Sequence, residues 1–140
     1  MNEPQGTTAI YSLSGKLLVT VPGPSLAEAS LRGRDLSNAN LNGADLVGAD
    51  LSGADLRGAS LIDADLYEAK LADTCFGGAN LQHANLSYVE AIGAVLREAN
   101  LPGASLSRGI LRQARFNEAN LTDADVTYAD LRGAEGYSHE

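Results

Sequence analysis

The sequence predicts an all-β solenoid, and three observations carry that expectation. From Leu26 to Leu131 the 140-residue chain repeats every five residues without an insertion or deletion. Leu occupies 18 of the 22 repeat centres, the exceptions being Phe76, Ala91, Phe116 and Val126. Ala stands two places before the centre in 17 of the 22 units, as in Ala44-Asp45-Leu46-Val47-Gly48 and Ala49-Asp50-Leu51-Ser52-Gly53. A period of five fits neither a helix nor a flat strand. Residues two apart in extended backbone, however, point to the same side. Each unit therefore turns one small and one large apolar group inward and then bends. Gly and small polar residues in the last two positions, as in Asn42-Gly43, suit the bend. No unit buries its own Leu; stacked coils do so, in continuous columns.

Residues 1–23 lie outside the repeat. Two β-prone stretches, Thr8–Ser12 and Lys16–Val21, flank Leu13-Ser14-Gly15, which reads as a turn. Pro22-Gly23-Pro24 breaks this segment from the first coil. The expectation is a β-type cap, which solenoids need over their end coils. Residues 24–135 form the repeat domain, and 136–140 a short tail in which Tyr137 is placed to fold over the last coil.

These units resemble the pentapeptide-repeat family, whose consensus is A-(D/N)-L-x-x. The resemblance implies a right-handed quadrilateral β-helix with four units per coil, hence about five to six coils and a rod roughly 26 Å long. It also implies a bacterial chain, and a homodimer through the C-terminal coil as in some family members. An internal trade agrees with residues 20 apart stacking. Ala91 is the small centre, Val89 replaces the usual Ala beside it, and Gly109 stands 20 residues beyond Val89. Such compensation is expected of neighbours in a close-packed interior. Phe76, Leu96 and Phe116 fall in one column on the same rule.

The chemistry-bearing residues exclude more than they include. His83 and His139 are the only histidines and Cys75 the only cysteine, so an internal disulfide is impossible. Neither His83 nor Cys75 has a partner in sequence that would orient a catalytic base. No zinc, P-loop or EF-hand motif occurs, so the expectation is a non-enzyme without metal or cofactor. A net charge of −8 argues against direct binding to nucleic acid or anionic membranes. No apolar stretch approaches membrane-spanning length, and the first residues lack the regions of a signal peptide, so the expected location is the cytoplasm.

What remains is the exposed surface. Asp35, Asp45, Asp50, Asp55, Asp65, Asp125 and Asp130 precede centres, as do Asn40, Asn80, Asn85, Asn100 and Asn120. Side chains of this kind bond to backbone at a bend. The competing reading is DNA mimicry, in which an acidic rod binds a type II topoisomerase (gyrase) and inhibits or protects it, as some members of the resembled family do. The small-polar rule breaks at Lys70, Cys75, Val95, Ile110 and Arg115, all in two adjacent columns. With the neighbouring Ile92, Arg97 and Arg112, the residues Val95, Ile110 and Arg115 define a candidate protein-contact edge. Tyr88, Arg108 and Tyr128 form a second column, in which Arg between two rings suits cation–π contacts. The leading function is a macromolecule-binding or regulatory scaffold whose protein partner the sequence does not name.

Overall fold

The structure, a computed structural model, describes residues 6–137. From residue 26 onward the chain coils so that residues 20 apart lie side by side in parallel bridges. Four columns of bridges make four walls. Wall A joins Ser30, Asp50, Lys70, Glu90, Ile110 and Asp130 in succession. Wall B joins Asp35, Asp55, Cys75, Val95, Arg115 and Glu135; wall C, Asn40, Ser60, Asn80, Asn100 and Asn120; wall D, Asp45, Asp65, Asn85, Ser105 and Asp125. The coil is quadrilateral because four five-residue units return the chain to the same wall.

Hydrogen bonds explain why five residues suffice for each side. The Leu36 N–H donates to the Asp55 carbonyl of the next coil at 2.7 Å, and the Asp55 N–H donates back to the Arg34 carbonyl at 2.9 Å. Within the unit, the Ala39 N–H donates to the Leu36 carbonyl at 3.0 Å and closes the corner. The second corner residue takes a left-handed backbone, at φ +67° in Gly43 and +59° in His83. Gly adopts that conformation freely, whereas other residues lose about 1–2 kcal/mol there.

Inside, the Leu columns are sealed: Leu31, Leu56, Leu81 and Leu106 are fully buried, as are Phe76 and Phe116. The Val89–Gly109 trade is visible in contact. A Cβ at Gly109 would lie 3.3 Å from Val89 Cγ2 and 3.1 Å from the Leu106 carbonyl oxygen. Thr74 stands where Ala is usual; it is buried, and its hydroxyl donates to the Leu51 carbonyl at 2.7 Å.

The N-terminal end is closed by a hairpin of β1 (Thr7–Ser12) and β2 (Leu17–Pro22). Strand β1 also pairs antiparallel with β3 (Ala39–Asn40), so the cap is hydrogen-bonded onto wall C as well as packed over the core. Ile10, Val19 and Val21 are buried with Leu26 of the first unit. An irregularity at Ile10/Tyr11 and the proline ending β2 blunt the free edge of the hairpin. At the other end Leu121, Val126 and Leu131 are only partly buried. Tyr137 folds back edge-on to Phe116, at 6.1 Å between centroids. Gly136 makes that return possible, since a Cβ there would lie 2.5 Å from the Asn117 nitrogen. Residues 138–140, including His139, lie outside the described residues.

Candidate contact surfaces on the rod

The seven aspartates that precede centres do local work first. Each accepts a hydrogen bond from the backbone N–H two residues on, from Ser37 for Asp35 through Arg132 for Asp130. Asn40, Asn80, Asn85 and Asn120 do the same uncharged. At Asn100 residue 102 is proline and has no N–H to give, so the Asn100 carbonyl instead accepts from the Asn120 amide at 3.1 Å. Asp50, Asp55 and Asp130 are also ion-paired, with Arg32, Arg57 and Arg132. These contacts favour the charged carboxylates. Bonding to Arg132 holds Asp130 down at about 2. Asp35, Asp50, Asp55 and Asp125 lie below the usual carboxylate range, chiefly through the side chains of Ser37, Ser52, Arg57 and Thr127 respectively.

The candidate edge lies around the corner between walls A and B. Ile92, 40% exposed, and Arg112 share a shallow groove with Gln113, Arg132 and Gly133. Val95 and Arg115 share the adjoining groove with Asp73, Gly93, Gln113, Gly133 and Glu135. Gln113 and Gly133 line both grooves; Asp130, on wall A, accepts from Arg132 at 2.7 Å and lies 3.5 Å from Arg112. Arg115 reaches Glu135 at 4.0 Å. Ile110 sits back on wall A between Glu90 and Asp130, and Arg97 lies past wall B at the next corner; neither lines a groove. Gln113, Arg132 and Glu135 were absent from the sequence reading. The 20-residue step from Gly93, Arg112 and Arg115 would have found them.

The tyrosine column differs from its expectation. Arg108 lies over the Tyr128 ring at 4.7 Å, but Tyr88 turns edge-on to Tyr67, with centroids 5.5 Å apart. Cys75 and His83 are on separate sides of the rod, with wall C between the wall that carries Cys75 and the corner that carries His83. No cluster of metal-ligating side chains occurs among the described residues. Nor is any helix there long and apolar enough to cross a membrane.

Comparison with known proteins agrees with this architecture. The family of pentapeptide repeats matches in eight copies, through overlapping blocks at 25–61, 44–82, 64–103, 74–113 and 99–135. No curated relative matches the chain. Among solved structures it is similar to Rfr23, a pentapeptide repeat protein from the cyanobacterium Cyanothece 51142, at 31% identity and a TM-score of 0.65. The match covers 66% of this chain and 63% of that one, so this chain spans less than two thirds of that protein's length. HetL of Nostoc sp. strain PCC 7120, involved in heterocyst differentiation regulation, is 32% identical over 78% of this chain and 68% of its own, with a TM-score of 0.45. QnrB1, a plasmid-mediated fluoroquinolone resistance protein, is 22% identical over 81% of this chain and 72% of its own, with a TM-score of 0.39. The repeats match along most of the chain, and the chain belongs to the pentapeptide-repeat family, with the family's right-handed quadrilateral β-helix.

Proposed function

We propose that this chain is a non-enzymatic scaffold that binds a protein partner at the corner between walls A and B. One observation carries the reading: Ile92 stands 40% exposed beside Arg112 and Arg132 in a shallow groove. Arg and apolar anchors around a shallow groove are the composition of interface hot spots. Val95 and Arg115 extend the surface along wall B, and Ile110 extends it along wall A. DNA mimicry is less well supported, because Asp50, Asp55 and Asp130 are tied to arginines of the same chain. Supercoiling by gyrase is expected to proceed unchanged in the presence of the protein; inhibition competitive with DNA would restore the mimic reading. The direct test is the double variant Ile110→Ser/Arg115→Glu. It should fold, lose partners captured from source-cell extract by the wild type, and keep its sedimentation behaviour. Retention of every partner would sink the proposal. A changed sedimentation coefficient would make the same edge a self-association surface, in place of the C-terminal coil.

A further inference from the structure

The outer face of the N-terminal cap carries a second surface, at the other end of the rod from the first. Burial alternates along β1, so that Ile10 and Ser12 face the core while Tyr11, and Leu13 just beyond the strand, face away from it. Tyr11 pairs across the hairpin with Leu17. Tyr11, Leu13 and Leu17 are 50%, 55% and 53% exposed and form one apolar patch. Seven large hydrophobic side chains are exposed among the described residues, and these three fall within seven positions of the chain. The fold does not require them there, because Thr7 and Thr20 stand exposed on the same face of the hairpin. Ile10, Val19 and Val21 close the core from the inner face alone.

We infer that two copies of this chain associate through these cap faces, with Tyr11 of one copy against Leu17 of the other, and the reverse, about a twofold axis. Charge selects a second copy. The chain carries a net charge of −8, yet Lys16 is its single charged residue from 6 to 27. A twofold contact sets a surface against itself, so in an acidic chain it forms where carboxylates are absent. The opposite end of the rod fails that condition. Leu121, Val126 and Leu131 are partly open there, but residues 119–137 hold Asp123, Asp125, Asp130 and Glu135 against Arg132 alone. The cross-strand pair supplies the match. An axis parallel to the strands lays β1 of one copy over β2 of the other, so a ring meets an aliphatic side chain twice. The blunted edge of β2 makes the contact face to face rather than by added strands. Two strands present less than the ~800 Å² per partner of a standard interface, so the dimer is weak.

The test is sedimentation equilibrium of the whole chain. The wild type should pass from monomer to dimer with a Kd of ~10–100 μM. Leu17→Glu and Tyr11→Lys should each weaken association at least ~tenfold. Both positions are half exposed, so these variants should keep the wild-type circular dichroism. An equimolar mixture of the two variants should regain association, because the new carboxylate of one then faces the new ammonium of the other. Ile110→Ser/Arg115→Glu should dimerise as the wild type does, which separates this surface from the wall A–B corner. A wild type that stays monomeric up to ~500 μM would overturn the inference. Unchanged association in both variants would overturn it too and move the contact to the open C-terminal coil. A mixture that associates no better than its components would overturn it as well.

Discussion

Wall C and the corner between walls A and B rest on the same backbone and differ only outside it. On wall C the outward residue is Asn or Ser at every coil, and Asn120, Asn100 and Asn80 pass a side-chain ladder down the rod. On wall A the same position runs Asp50, Lys70, Glu90, Ile110, Asp130. The bonding beneath is identical. The Asn100 N–H donates to the Ala79 carbonyl at 2.8 Å, and the Ile110 N–H donates to the Val89 carbonyl at 2.9 Å. The coil therefore does not need a small polar residue at that site; it tolerates whatever points outward. Regular walls report what stabilises the rod, and irregular ones are free to report something else.

Four experiments would break or sharpen that comparison. The largest effect should come from the columns, which both walls share. Leu56 lies behind wall B and Leu81 behind wall C, and both are fully buried. Leu56→Ala and Leu81→Ala should each cost ~2–5 kcal/mol in chemical denaturation. A much cheaper loss behind one wall would show that the walls are not built on equal cores. Gly109→Ala comes next, because the new Cβ meets Val89 and the Leu106 carbonyl. It should cost ~1–3 kcal/mol, and Val89→Ala in the same chain should restore part of it. Additive losses would mean that the two positions do not share space.

Acid should act on the aspartates of walls A, B and D and spare wall C. Because the folded-state values of Asp35, Asp50, Asp55, Asp125 and Asp130 are depressed, their contribution is complete above the unfolded value near 4. It is lost as pH falls through the folded values, and Asp130 sets the lower bound at about 2. The melting temperature should therefore hold from pH 7 to about 5 and fall between about 4 and 2, less steeply in Asp130→Asn. A fall that begins near neutrality would contradict the assignment. The smallest effect should come from restoring wall A to the pattern: Ile110→Asn should change stability by less than about 0.5 kcal/mol. A larger loss would make Ile110 a structural residue.

Much of this was legible in the chain because the repeat is strict. The five-residue spacing places Ala and Leu inward, whereas the 20-residue coil follows from the family resemblance, with which the exchange of volume between Val89 and Gly109 agrees. The hydrogen bonds of Asp and Asn to the bend followed from residue type. Other features were not readable, for physical reasons. Strand β1 runs antiparallel to β3 across a register that no repeat encodes. Tyr88 chooses Tyr67 over Arg108 because an exposed ring settles by local packing, which periodicity does not specify. The grooves beside Gln113 are lined by glycines of the same corner one coil to either side, Gly93 and Gly133, which in the sequence read only as turns. Arg97 was grouped with the edge by its spacing, yet a corner carries it away from the grooves.

The most direct test of the central claim places a photocrosslinking residue at Ile92 in one protein and at Asn100 in another, and irradiates each in source-cell extract. Specific protein adducts at position 92 with none at 100 are the predicted result. Equal adducts at both positions, or none at 92, would contradict the assignment of binding to the irregular corner.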